Sequence, residues 1–105
     1  MAGVVVVVLW FAAAAPGSST HRAESTSYCL SGRMADGSHV RAGSVASNRH
    51  PLGTRIRLVG VTFSGRRRFT VRDRIGHGSE LDLWSASCAA SIRWGRRVVH
   101  YRVGW

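Results

Sequence analysis

The residues best suited to chemistry lie in one stretch of the chain, VRDRIGHGSELDLW at residues 71–84. The chain has fifteen arginines but only five acidic residues, and three of those five, Asp73, Glu80 and Asp82, lie in this stretch. Two carboxyl groups in unlike surroundings can divide the roles of general acid and charge-stabilising group. The cluster is therefore either a site for acid–base chemistry or a structural device that holds a loop.

The surroundings of the two aspartates follow from the alternation of side chains along a strand. In FTVRD, Asp73 is predicted on the same side as Phe69 and Val71, the apolar side, where burial disfavours a charge. In LDLW the leucines take the core side and Asp82 points the other way, toward a surface or groove. The structural alternative is that Asp73 accepts hydrogen bonds from the amides of residues 76–79 and that Asp82 pairs with an arginine. The residues alone leave both interpretations open.

Other chemical groups give weaker signals. The five histidines have no metal-ligand spacing, and neither a phosphate-binding loop nor a Ser-His-Asp arrangement is visible, so we predict no metal and no cofactor. Aromatic side chains could form a flat binding platform, although in so small a domain they more often pack in the core. The candidates are Tyr28, Trp84, Trp94 and Trp105.

The elements that must position these residues have the pattern of short strands. Alternating runs, interrupted by turn residues, extend from TSYCL through RIRLVG and RRFTVRD to RRVVHYRV. One segment, WSASCAASIRWG, has helical spacing instead, with Ser85 or Ser87 as the N-cap and Gly95 at the C-terminal end. The sequence therefore predicts an all-β domain with one short helix, near residues 85–94, before the last strand.

The chain has room for one small domain, which we place at residues 27–105. Residues 16–26 are small and polar, which is typical of a linker. Before them, GVVVVVLWFAAAA at residues 3–15 resembles the apolar part of a secretory signal and is too short for a stable membrane span. A buried strand or a truncated anchor is the alternative. Residues 1–26 are thus interpreted as a signal-like segment and linker.

The two cysteines, Cys29 and Cys88, lie far apart and form no CxxC motif, so one long-range disulfide is the simplest interpretation. Cys88, near the first turn of the predicted helix, would reach back to Cys29 at the first strand. A disulfide requires an oxidising compartment. Together with the signal-like start, it predicts a secreted or cell-envelope protein.

The positive charge of the chain comes from arginine alone and gives a formal net charge of +10. Such a charge is either a solvated basic surface or a contact for a polyanionic partner. A nucleic-acid partner is disfavoured, because aromatic residues are not interleaved with the basic runs and the signal-like start points outside the cytoplasm.

Three blocks, SVASNRHPLGTRIRLVG, FTVRDRIGHGSELDLW and CAASIRWGRRVVHYRV, resemble the 3D-domain and RlpA-like family of double-psi β-barrels. This family is related to the MltA-type lytic transglycosylases and, more remotely, to expansins. The resemblance runs from Tyr28 to Val103 and follows the family's order: a PLGT turn, a strand ending in Asp, a glycine loop, a second Asp-bearing strand, an Ala-rich helix and a Val-rich strand. It implies a six-stranded double-psi barrel with its short helix before the last strand.

The resemblance also implies roles for individual residues. Asp73 matches the aspartate at the head of the family's glycine loop, and Asp82 matches the aspartate of the next strand. The third family position, an Asp or a His before the turn, falls on Asn48, which can orient a sugar but cannot transfer a proton. His50, two residues later, could transfer one, and Trp84 is a further candidate for substrate contact.

The implied function is cleavage of peptidoglycan glycan strands by a secreted, monomeric lytic transglycosylase without a cofactor. Asp82 would be the acid and base, and Asp73 would position or stabilise. The alternative is a non-catalytic, expansin-like module that binds or loosens the cell wall and uses its arginines on anionic wall polymers. The absence of an acidic residue at Asn48 favours this alternative.

Overall fold

The computed structural model describes residues 19–76 and 78–104. Strands pair into a closed barrel in the order β1-β5-β2-β4-β3-β6, and one helix precedes the last strand, which confirms the predicted six-stranded all-β barrel. The elements are β1 (His21–Tyr28), β2 (Ser44–Ala46), β3 (Arg55–Val59), β4 (Arg68–Asp73), β5 (Leu81–Trp84), α1 (Cys88–Trp94) and β6 (Arg97–Val103).

Two of the strand pairs, β1 with β5 and β2 with β4, are parallel, and the other pairs around the ring are antiparallel. In this closed order β3 lies across the barrel from β5. The wall that carries Asp82 and the wall centred on β3 therefore face opposite directions.

The core follows the predicted alternation. In β3, Ile56 and Leu58 are buried while the arginines between them face outward, and in β5 Leu81 and Leu83 are fully buried. Each large apolar side chain buried in this way contributes roughly 1.5–3 kcal/mol to folding. The core fixes which side chains of each strand face solvent, and hence which ones line a site.

Strand β1 begins at His21, inside the segment 16–26 that the sequence predicts as a linker. Its inward residues are Ala23 and Ser25, both fully buried, and neither is large and apolar enough to give a strand signal. The Ser25 hydroxyl is satisfied because it accepts a hydrogen bond of 3.1 Å from Nε1 of buried Trp94. Pairing with β5 on one side and β6 on the other determines this strand rather than its own apolar pattern.

Helix α1 has the caps that the sequence predicts. The hydroxyl of Ser87, rather than that of Ser85, accepts a hydrogen bond of 3.1 Å from the amide of Ala90. Gly95 ends the helix at a φ of 62°, a left-handed conformation that glycine adopts most readily. The helix is short, and its buried Trp94 anchors it to the barrel.

Cys29 and Cys88 form the predicted disulfide, with their Cα atoms 5.1 Å apart. The bond joins the end of β1 to the start of α1, and it is compatible with an extracytoplasmic location. The signal-like residues 3–15 lie outside the described residues. Within residues 19–76 and 78–104, no helix is long and apolar enough to cross a membrane.

Candidate functional site

Asp73 and Asp82 line the same cavity, which has a volume of about 390 Å³. We call this cavity the carboxylate cleft. Its lining combines the two carboxylates with hydroxyl groups, a guanidinium and a few apolar side chains. The lining residues are Thr26, Ser27, Tyr28, Leu30, Ala46, Asp73, Arg74, Ile75, Gly76, Ser79, Asp82 and Arg96.

The short strand β2 brings the two aspartates to one side of the barrel. Ala46 is in register with Asp82 on one neighbouring strand and with Asp73 on the other. Neighbouring strands are about 4.8 Å apart, so the Cα atoms of the aspartates are separated by about 10 Å. Both side chains reach one cavity from this position.

The prediction that Asp73 shares the apolar side of Val71 is wrong. The register of β2 and β4 shifts between Val45 and Ala46, so that Val45 pairs with Val71 but Ala46 pairs with Asp73. The extra residue on β4 is a β-bulge, which redirects the side chains that follow it. Val71 is fully buried, whereas Asp73 is half-buried and lines the cleft.

Three donors hold the carboxylate of Asp73. The amides of Ala35 and Arg74 donate to Oδ1 at 2.9 and 2.8 Å, and the hydroxyl of Tyr28 donates to Oδ2 at 3.3 Å. Within the described residues, the amides therefore come from Ala35 and from the next residue along the chain, and not from Gly76, Gly78 or Ser79 of the loop that the structural alternative proposed. An ionised carboxylate only accepts hydrogen bonds, so this arrangement suits a charged Asp73.

Asp82 lies at the end of a chain of hydroxyl groups. Thr26, its register partner on β1, donates from Oγ1 to Asp82 Oδ1 at 2.9 Å. The same Thr26 oxygen lies 2.7 Å from Oγ of Ser79. Since Thr26 has one proton and donates it to the carboxylate, the Ser79 hydroxyl must donate to Thr26. A change in the protonation of Asp82 would therefore reorient both hydroxyl groups.

Tyr28 interacts with both aspartates. Burial, followed by the negative charge of Asp73 and its hydrogen bond, and then by the charge of Asp82, raises the pKa of Tyr28. The phenol therefore remains protonated and acts as a hydrogen-bond donor at neutral pH. The sequence predicts Tyr28 only as a possible platform, and it does not identify Thr26, because the first residues of β1 have the composition of a linker.

Asn48 does not line the cleft but holds one of its walls. Its Nδ2 donates to the carbonyl of Ile75 at 2.7 Å, and its Oδ1 accepts from the amide of the same residue at 3.0 Å. Ile75 is a lining residue. The position that the family resemblance assigns to substrate contact therefore supports the loop after β4 in this structure.

His50 lies in a separate aromatic and polar cluster. Its Nε2 is 2.7 Å from the hydroxyl of Tyr101, and the ring of His21 stacks on Tyr101 with centroids 5.1 Å apart. Burial, and then the charges of His21 and Arg49, lower the pKa of His50. His50 is not among the residues that line the cleft.

The tryptophans are divided between core and surface. Trp94 is core: it packs against Phe63 with ring centroids 5.0 Å apart, and the Arg97 guanidinium lies over its ring. Trp84 is half-buried and donates from Nε1 to the carbonyl of Leu30 at 2.8 Å. It lines a second cavity of about 250 Å³ rather than the cleft. Trp105 lies outside the described residues.

The third acidic residue of the opening stretch, Glu80, is structural. It forms an ion pair with Arg49 and accepts a hydrogen bond of 2.8 Å from the amide of Glu24. That amide hydrogen bond, and then the charge of Arg49, lower the pKa of Glu80. Glu24 in turn pairs with Arg96, a lining residue, at 2.7 Å. These contacts fix one rim of the cleft, and Arg49 links this rim to the His50 cluster by donating to the hydroxyl of Tyr101 at 3.3 Å.

The carboxylate cleft can bind a polar ligand and move a proton with the groups that its own side chains supply. Within residues 19–76 and 78–104, no cluster of three or more histidine, cysteine, aspartate or glutamate side chains could hold a metal ion. No protein-family model matches the chain, and no curated protein matches it either, so its function has to be argued from the geometry of this cleft.

Proposed function

We propose that this chain is an extracytoplasmic enzyme that cleaves the glycan strands of peptidoglycan as a lytic transglycosylase. The observation that carries the proposal is the carboxylate cleft, in which Asp73 and Asp82 flank Ala46 and face one cavity. Hydroxyl groups of Thr26 and Ser79 on the cleft wall suit a ligand rich in hydroxyl groups. The disulfide supports a location outside the reducing cytoplasm.

In this mechanism Asp82 donates its proton to the oxygen that bridges two sugars, and the bond between that oxygen and the anomeric carbon breaks. The sugar left behind has oxocarbenium character. Its own 6-hydroxyl oxygen then bonds to the anomeric carbon, and the proton of that hydroxyl returns to Asp82. The products are a free 4-hydroxyl on one strand and a 1,6-anhydro ring on the other, so no water is consumed. One carboxyl group can perform both proton transfers.

The hydrogen bonds favour different roles for the two aspartates. Asp73 has both oxygens engaged by the donors Ala35, Arg74 and Tyr28, which suits a charged group that stabilises a positive sugar. Asp82 receives a hydroxyl proton from Thr26, a donor that can rotate when the carboxyl gains its own proton. We therefore assign acid–base chemistry to Asp82 and charge stabilisation to Asp73.

The architecture is compatible with this proposal. A closed six-stranded barrel with one short helix before the last strand is what the resemblance to the 3D-domain and RlpA-like barrels implies. In this proposal the signal-like residues 3–15 direct the protein to the cell envelope, where the folded barrel acts as a monomer.

The test is digestion of purified sacculi, followed by mass analysis of the released fragments. The proposal expects products that end in 1,6-anhydro sugars. Products with reducing ends would instead identify a hydrolase, which needs an activated water. Digestion that releases nothing, with intact binding to the sacculi, would leave the second candidate.

The second candidate is a non-catalytic module that binds the wall. The observation that favours it is Asn48, since the third position of the family's site is occupied by a side chain that bonds the backbone of Ile75. Wall binding alone predicts that the wild type and Asp82→Asn sediment equally with sacculi and that neither releases soluble fragments. Fragment release by the wild type only would exclude this candidate.

A further inference from the structure

We propose that the outer side of β4, β3 and β6 binds a linear polymer with repeating phosphate groups and no nucleobases. We call this side the arginine face. Its central strand, β3, lies across the barrel from β5, and binding there does not depend on the cleft's activity. Its basic residues are Arg55, Arg57, Arg66, Arg67, Arg68, Arg72 and Arg102.

The strand register places arginines directly beside one another. Arg57 on β3 is paired with Arg68 on β4 and with Arg102 on β6. Like charges on directly opposite residues of an antiparallel pair destabilise the sheet. This row brings three arginines side by side across three strands. A bound anion would contact all three guanidinium groups.

The arginine face is concave in two adjoining places. A hollow of about 390 Å³ is lined by Arg57, Arg66, Arg67 and Arg68. A second hollow of about 320 Å³ shares Arg66 and Arg68 with the first and adds Arg72 and Thr70. Together they form one track along the sheet, with guanidinium groups on its walls.

Gly43 lets two of these guanidiniums lie close to the backbone. A Cβ atom at Gly43 would be 3.2 Å from Nη1 of Arg66, so a larger residue would push that side chain away. The carbonyl of Gly43 accepts a hydrogen bond of 3.2 Å from Arg72. Burial, and then the positive charge of Arg41, lower the pKa of Arg72.

The spacing and chemistry favour phosphate. Guanidinium groups bind pairs of phosphate oxygens through two parallel hydrogen bonds. Side chains on one face lie about 5 Å apart across strands and about 7 Å apart along them, so the ligand must have a charge on every repeat. A phosphodiester or polyphosphate chain meets this requirement. A polysaccharide with one carboxylate for every two sugars spaces its charges more widely.

Nucleic acid is the less suitable phosphate polymer. Among the described residues of this face, the outward side chains of β3 and β4 are arginines, Thr70 and Val59, and β6 adds the imidazole of His100, so no Trp, Tyr or Phe ring is offered for a base to stack on. The disulfide also favours a polymer of the cell envelope over cytoplasmic nucleic acid. The partner is therefore a base-free phosphate polymer, for which long-chain polyphosphate is a direct probe.

The experiment measures polyphosphate binding by the wild type and by the double variant Arg57→Gln/Arg66→Gln at several salt concentrations. Loss of two phosphate contacts should weaken binding by roughly tenfold or more. It should also reduce the slope of log K against log salt by about two. The melting temperature should stay equal or rise, because the substitution removes like-charge repulsion.

The matched control is Arg33→Gln/Arg93→Gln, which removes the same charge from exposed residues outside the arginine face. It should keep at least half of the wild-type affinity. Equal losses in both double variants would show that binding follows net charge alone and would overturn the proposal. Equally tight binding of single-stranded DNA or of polyglutamate at the same salt concentration would overturn the assignment to a base-free phosphate polymer.

Discussion

Strands β5 and β3 lie on opposite sides of one small barrel and differ in the charge and the contacts of their polar side chains. β5 has one charged residue, Asp82, whose carboxylate accepts a hydrogen bond from Thr26. Thr26 also contacts Ser79, and Tyr28 lines the same cleft. β3 has two arginines and no acid, and its central Arg57 lies between two further arginines. The two walls share one core, so the difference is not a requirement of packing.

The comparison separates two ways of using charge. On the cleft side, Glu80 and Glu24 are paired with arginines, and Asp73 is held by amides, which positions groups precisely. On the arginine face, arginines of neighbouring strands lie beside one another, which concentrates positive charge there. In our two proposals, the cleft performs chemistry at one point and the arginine face makes contact along a line.

The largest expected effect is on catalysis, in Asp82→Asn. This change keeps the size of the side chain and its contact with Thr26 but removes the proton that the mechanism transfers. Release of anhydro products should fall by about 10² to 10⁴-fold. The melting temperature and polyphosphate binding should stay close to those of the wild type. Mass analysis of sacculus digests and a thermal melt measure these outcomes.

The control for that substitution is Asp36→Asn, which removes an exposed carboxylate whose Oδ1 accepts hydrogen bonds from the amide and the hydroxyl of Ser38. It should leave product release unchanged. An Asp82→Asn protein that melts several degrees lower but still cleaves would assign Asp82 to architecture and would remove the contrast between the two walls.

The next effect is on stability, from loss of the disulfide in Cys29→Ala/Cys88→Ala. Removing a native disulfide from a small domain costs about 2–5 kcal/mol, so the melting temperature should fall by roughly 10 °C or more. The bond joins the end of β1 to α1, beside the cleft. At a temperature where the variant is still folded, product release should therefore fall more than polyphosphate binding. An equal loss of both would show that the two walls are not independent.

A smaller effect is expected from Asn48→Ala, which deletes both hydrogen bonds to the backbone of Ile75. Because Asn48 is exposed, the free energy of unfolding should fall by only about 1–2 kcal/mol. Asn48→Asp keeps the acceptor for the Ile75 amide and should lose about half as much. Denaturant unfolding measures both variants. Unchanged stability with lost glycan binding would instead make Asn48 a direct substrate contact.

Asn48 also shows how far the sequence could predict this molecule. The strands and the helix follow from local signals: alternation in β3 and β5, and the serine and glycine at the ends of α1. The disulfide follows from there being only two cysteines, and the closed six-stranded barrel is what the family resemblance implies. The role of Asn48 depends on where the loop after β4 lies, which no local pattern specifies.

Two further features of the structure differ from the sequence prediction, again because they depend on which strands lie side by side. Asp73 faces the cleft because a bulge shifts the register of β4 against β2, and alternation along β4 alone points it into the core. Strand β1 exists because β5 and β6 pair with it, although its inward residues are Ala23 and Ser25. The sequence could therefore single out the two aspartates that line one cavity, but not the hydroxyl groups that β1 places around them.

The smallest effect concerns His50, where β1, β6 and the loop after β2 meet between the two walls. Its ring contacts the hydroxyl of buried Tyr101 and lies near His21 and Arg49. Burial and these positive neighbours lower its pKa below the usual 6.5. The folded protein therefore binds a proton at His50 less readily than the unfolded chain does.

The sign of the pH dependence follows from this difference. Below pH 6.5 the unfolded chain takes up a proton that the folded protein resists, so the free energy of unfolding should decrease as the pH falls through this range and be fully restored above it. His50→Gln cannot titrate and keeps a polar partner for Tyr101, so its unfolding should depend less on pH between about 5 and 7. Denaturant titrations at several pH values measure the slope. An equal slope in both proteins would place the titrating group elsewhere. A smaller slope in the variant, together with unchanged polyphosphate binding, would show that the arginine face does not take part in this pH response.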